Sequence, residues 1–104
     1  MNKLMLLAAV AVAVGAPALA AKPMHYTGEK LAVNAKYSIV QARAIALKAH
    51  HGAITDQELE KESGGSGLRY SFDIKAKGMK TFEVGVDAMT GKVLENKAEG
   101  KNPD

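Results

Sequence analysis

The chain has 104 residues, with fourteen Lys and Arg against eleven Asp and Glu, three His, no Cys and a formal net charge of +3. All but Arg43 and Arg69 of the basic residues are Lys, which argues against a nucleic-acid reader, since such proteins favour Arg for bidentate contacts to bases and phosphates. The missing Cys excludes disulfides and a lipid-modified N-terminal cysteine, so a small exported domain would stand on its core or on a partner.

The chain opens with Met1-Asn2-Lys3, and Leu4 to Val14 then carry no charged or polar side chain. Gly15-Ala16-Pro17 and Ala18-Leu19-Ala20 follow. A positive head, a short apolar stretch and a small-x-small end make residues 1–20 a signal peptide. The apolar run is too short to span a bilayer comfortably. Cleavage after Ala20 leaves one domain's length of chain, expected to be periplasmic or secreted with no stable membrane anchor.

Residues 21–36 show no sustained period and form an extended or partly ordered lead-in. Leu31 and Val33 alternate and suggest a short strand. Residues 38–51 are predicted as a helix. Ser38 and Gln41 make a capping box, and Ile39, Ala42, Ile45, Ala46 and Ala49 share one face at helical spacing. His50 and His51 fall in the last turn, with Gly52 at C′. The even positions from Asp56 to Glu62 are acidic, and Leu59 has the other parity. Ser63-Gly64-Gly65-Ser66-Gly67 is a turn. Leu68, Tyr70, Phe72 and Ile74 then alternate with Arg69, Ser71, Asp73 and Lys75 in a half-buried strand. A two-residue Gly64-Gly65 loop would pair Leu59 with Tyr70 inside and Glu60 with Arg69 on the wet side. A second turn at Lys77-Gly78 leads to Phe82, Val84 and Val86. Asp87 to Gly91 turn again, with Asp87 accepting from turn amides and Gly91 at positive φ. Lys92-Val93-Leu94 is a short last strand, and the chain from Glu95 on is polar and expected to fray. The fold class is α+β, one helix packed on an antiparallel sheet of three to four strands.

Gln41-Ala42, Ile45 to Ala49, Tyr70 and the terminal Val86-Asp87-Ala88-Met89-Thr90-Gly91-Lys92-Val93-Leu94 resemble the PepSY family. The resemblance implies a cystatin-like arrangement, with a PepSY-like domain over 37–96 and a polar tail over 97–104. It also implies that Ala42, Ala46, Tyr70, Val86, Asp87 and Gly91 are signature positions with structural roles. Family members occur in propeptides of thermolysin-type metallopeptidases and as free-standing exported proteins, and a role in restraining peptidases is implied.

No catalytic constellation is visible: Gly-x-Ser-x-Gly and His-Glu-x-x-His are both missing, so the chain reads as no enzyme and needs no cofactor. Ser63 to Gly67 lacks the Lys-Ser/Thr of a phosphate loop. His50 and His51 point about 100° apart on a helix and suit its C-terminal dipole better than a shared metal. His25 in the lead-in is a further weak metal candidate, for copper or zinc. The acidic row reads as a solvated face with one cross-strand ion pair to Arg69, ahead of paired catalytic carboxylates.

Three readings of function stand. The first is a binding module that restrains a peptidase, the second a periplasmic metal- or ligand-binding protein using the His residues. The third is an interaction domain for another envelope protein, docking by strand addition. The tips at Gly64, Gly65, Lys77 and Gly78 are the candidate partner contacts. Intact-mass analysis of the exported protein is expected to show a chain starting at Ala21. A dominant species retaining Met1 in the membrane fraction would reject the signal peptide.

Overall fold

The computed structural model describes residues 24–100. The expected signal peptide, the first residues of the lead-in and positions 101–104 of the tail lie outside the described residues. A 3-10 helix, Glu29–Asn34, comes first, followed by helix α1, Ile39–Ala49. Strands β1 (Ala53–Lys61), β2 (Leu68–Lys75), β3 (Thr81–Asp87) and β4 (Val93–Ala98) complete the order. The strands form one antiparallel sheet in the order β1-β2-β3-β4. One helix on a four-stranded antiparallel sheet is the expected α+β class.

Helix α1 starts where the capping box requires. The Gln41 amide donates to Ser38 Oγ at 3.1 Å, and the Ser38 amide donates to Gln41 Oε1 at 2.9 Å. Two donors that the first helical turn leaves without partners are thereby satisfied. Ile39, Ala42 and Ala46 are buried. With no bulk beyond Cβ, the two alanines let the helix axis lie close on the sheet. Beneath them the inner faces of the strands contribute Leu59, Tyr70, Phe72, Ile74, Val84 and Val86, all essentially without exposed surface. Alternation at period two delivers these residues to one face. The pairs Leu59↔Tyr70, Phe72↔Val84 and Tyr70↔Val86 stack the core in register.

The start of α1 is strapped to the turn between β3 and β4. The amides of Lys36 and Tyr37 both donate to the Ala88 carbonyl, at 3.0 and 2.9 Å, and the Ala88 amide donates to the Leu68 carbonyl at 2.9 Å. The Tyr70 hydroxyl donates to the Tyr37 carbonyl at 2.6 Å. Burial, with Tyr26 beside it, pushes the Tyr70 phenol well above the usual range, so it acts as a donor.

Several expectations need correction. Leu31 and Val33 lie in the 3-10 helix, not in a strand. Gly28, at φ 84°, turns the chain into that helix, and two alternating apolar residues are too few to define a strand. Leu31 packs against the core while Val33 is 86% exposed. The lead-in is also tied down: Thr27 forms a parallel bridge with Glu58. Helix α1 stops at Ala49, with His50 extended at φ −149°, so neither histidine sits in the last turn. Gly52 is needed for close approach and not as a helix cap: a Cβ there would lie 2.9 Å from the Lys75 carbonyl oxygen.

The Leu59↔Tyr70 and Glu60↔Arg69 register holds, but the first hairpin loop is longer than two residues. Its last rung is the bond from the Glu62 amide to the Gly67 carbonyl, 3.1 Å, which leaves Ser63 to Ser66 as the loop. The stretch expected to fray pairs instead. Glu95, Lys97 and Ala98 lie opposite Gly85, Glu83 and Phe82. Polar side chains suit this strand because one of its faces is in water.

Gly91 adopts φ 78°, and a Cβ there would lie 2.7 Å from the Tyr37 ring. Gly91→Val is therefore expected to cost about 1–3 kcal/mol, from backbone strain and from a collision with the strap at the start of α1. Chemical denaturation measures this. An unchanged midpoint would show that the turn is not held as described.

Candidate functional site

The sheet has one covered face and one open face, and the open face collects carboxylates. Along β1 the residues not facing α1 are Asp56, Glu58 and Glu60. Register places Asp73 beside Asp56, with Glu83 beyond it on β3. Together with Glu62 and Glu99 they line a depression of about 630 Å³. These seven are drawn from the eleven Asp and Glu of a chain whose formal net charge is positive. Burial, and then the charges of Glu95, Asp73, Glu60 and Glu62, push the Glu83 carboxyl up. A hydrogen bond with Asp73, then burial and neighbouring carboxylates, push Glu99 up.

Arg69 is the main counter-charge. It was expected on a wet face opposite Glu60, with one ion pair to the acidic row; the register and an ion pair to the row, through Glu62, hold, but the solvated placement does not. Arg69 is only 8% exposed. Its guanidinium reaches Glu95 at 3.2 Å and Glu62 at 3.7 Å, and donates to the Ser63 carbonyl at 3.3 Å. Glu60 accepts instead from Ser71 Oγ at 2.8 Å. The reason is Gly85: without a side chain it leaves a lane for Arg69, and a Cβ there would sit 3.0 Å from Arg69 Cδ. The face is therefore not uniformly solvated, since Arg69 and Ser71 are buried within it.

Asp87 is the second centre. Its carboxylate accepts from the Ser66 amide and Ser66 Oγ, both at 2.7 Å, from the Met89 amide at 2.8 Å and from the Thr90 amide at 3.3 Å. The turn amides were expected from sequence. The Ser66 bonds were not, and no local pattern encodes them, because Ser66 reaches Asp87 only once β1, β2 and β3 have paired. Burial acts to raise the Asp87 carboxyl, but the bonds from Ser66, Met89 and Thr90 outweigh it and hold it below the usual range. Gly65 makes the approach feasible: a Cβ there would stand 2.4 Å from Asp87 Oδ2. The Ser63–Ser66 loop, with Gly64 and Gly65 at its centre, is thus exposed and yet pinned at both Arg69 and Asp87.

Lys77 and Gly78 form the opposite kind of tip. Gly78 has φ 74°, and nothing lies within 4 Å of where its Cβ would be. The histidines are dispersed. His25 meets Glu29 at 3.1 Å, His50 stacks on Phe82 with ring centroids 3.9 Å apart, and His51 is exposed. Among the described residues no three His, Cys, Asp or Glu are placed to hold a metal ion. The other signature positions sit in the core: Ala42, Ala46, Tyr70 and Val86 are fully buried.

A carboxyl held below its unfolded value contributes stability that is present above that value and lost as pH falls through the folded one. Asp87→Asn is therefore expected to lower stability by about 1–3 kcal/mol at neutral pH. The gap to the wild type should close as pH drops below about 4, near the value of an unperturbed Asp. Urea titrations at several pH values test this. A gap independent of pH would mean that the charge of Asp87 does not matter.

A family model described as PepSY, peptidase propeptide and YPEB domain, matches residues 36–97. Comparison with curated proteins and comparison with solved structures returned no match. The matched span takes in the strap before α1, the helix, the first three strands, the Asp87 turn and most of β4, and on that ground the chain belongs to the PepSY family.

Proposed function

We propose that the protein is an exported, non-catalytic binding module that restrains or regulates a peptidase. The family match over residues 36–97 carries this reading, since the family is described by its occurrence as a peptidase propeptide. Among the described residues no helix is long and apolar enough to cross a membrane.

The geometry supports a contact at the Ser63–Ser66 loop. Its residues are exposed, yet Arg69 and Asp87 hold them through the Ser63 carbonyl and the Ser66 amide and hydroxyl. A loop already fixed in one shape loses little conformational entropy when a partner closes on it. The acidic face begins beside that loop at Glu62 and would steer a partner with basic residues near its cleft. Binding should therefore weaken with salt.

Excess purified protein is expected to slow a co-resident thermolysin-type peptidase in an activity assay. Ser63→Arg should weaken direct binding by about tenfold or more without lowering the melting temperature. No binding and no rate change across the peptidases of the same envelope would reject the reading. The protein would then stand as an interaction domain for another envelope protein.

A further inference from the structure

The end of the sheet opposite the Ser63–Ser66 loop has a different chemistry. There the β2–β3 hairpin turns through Ala76-Lys77-Gly78-Met79-Lys80. The pairing of Ala53 with Lys75 brings the connection from α1 to β1 alongside it. Residues 48–55 and 74–82 contain no Asp or Glu; the carboxylates of Asp56, Asp73 and Glu83 begin on the next rung, on the open face. Both segments are rich in cations, with Lys48, Lys75, Lys77 and Lys80 all exposed. Glu99 lies nearby through the hydrogen bond from its amide to the Thr81 carbonyl, and it joins the acidic depression of the open face. At the apex stands Met79, 57% exposed, one of three large apolar side chains exposed among the described residues. Lys75 Nζ donates to the Met79 carbonyl and braces the turn.

We propose that this end of the molecule docks reversibly on an anionic lipid surface, with Met79 entering the headgroup layer and Lys77 and Lys80 flanking it. The observations favour lipid over an acidic protein. Nothing lies within 4 Å of where a Cβ at Gly78 would be, so the apex stands clear of the rest of the fold. Its charges are lysines, which act as point charges and need no defined geometry of acceptors. A single apolar side chain flanked by lysines suits the boundary between headgroups and acyl chains. Each lysine near an anionic surface strengthens binding by about fivefold, so Lys77 and Lys80 at the tip would raise partitioning on the order of twenty- to thirtyfold at low salt. That is enough for reversible recruitment and too little for permanent anchoring. The pinned loop at the far end of the sheet stays free to meet a protein, so the two contacts do not compete.

The test is co-sedimentation of the processed protein with vesicles of phosphatidylcholine alone and of phosphatidylcholine mixed with phosphatidylglycerol, at low and high salt. The wild type should pellet with the mixed vesicles at low salt only. Lys77→Glu with Lys80→Glu should reduce that binding at least tenfold. Met79→Ser should reduce it a few-fold and leave the salt dependence unchanged. Ser63→Arg, at the other end, should bind vesicles like the wild type. All these positions are exposed, so the variants should melt with the wild type. Any contribution from residues outside 24–100 is common to every variant and cancels. Absence of binding to the mixed vesicles, equal binding to both vesicle types, or full binding by the double variant would overturn the proposal. So would an acidic protein captured by the wild type and lost from the double variant without any vesicle binding. Peptidase inhibition is read separately, so either proposal can fail alone.

Discussion

One carboxylate organises most of the long-range order in this small domain. Asp87 ends β3, and its oxygens gather the amides of its own turn together with the amide and hydroxyl of Ser66 from the first hairpin loop. Its neighbour Ala88 receives both amides that lead into α1 and donates to Leu68 at the start of β2. Two loops, a helix entrance and a strand therefore converge within two consecutive residues. Such a junction is strong because the charge it buries is fully hydrogen-bonded, and costly to disturb for the same reason. Without disulfides, these bonds and the packed core do the work that covalent cross-links perform in many small exported domains.

The sheet separates two tasks. Its inner face is apolar and matched to a helix whose alanines allow close packing. Its outer face concentrates negative charge around a nearly buried arginine. The lysines lie largely away from that face, at the hairpin tip, the helix end and the turns. A modest net charge thus conceals a polarised molecule, and a bulk count of ionisable residues says little about the field a partner meets. The two hairpin ends differ in mechanics as well as in charge. One is pinned by Arg69 and Asp87, the other projects freely.

The parts legible in the sequence were those with a local physical signature. The capping box of Ser38 and Gln41 depends on a spacing of three. The alternation from Leu68 to Lys75 depends on a period of two. The Asp87–Gly91 turn depends on a short acceptor and a glycine. Each can be read within a few residues, and together they specified the helix, the central strands and their register. The features that escaped were those created by tertiary contact. Arg69 was read as a solvated partner of the acidic row, but the space above Gly85 on the next strand buries it and carries it to Glu95 as well. Ser66 looked like a plain turn residue until Asp87 came within reach. Glu83 and Glu99 joined the acidic row only once the third and fourth strands were in place. The Leu31–Val33 pair misled because two residues cannot distinguish a strand from one turn of 3-10 helix. The polar stretch after Glu95 misled because an edge strand with one face in water has little apolar pattern to show.

The strand order carries a consequence for how the chain reaches this state. Each strand pairs with its neighbours in sequence, so every ladder can zip from a short turn without a distant segment having to arrive first. Contacts of low sequence separation favour rapid folding, because little loop entropy is lost before each new contact forms. Under the export proposed above, the chain would acquire its structure only after translocation, without ATP-driven chaperones. For such a chain a meander that closes in sequence order shortens the interval of exposure, and the helix strap at Tyr37 and Ala88 can lock last, once the sheet it rests on exists.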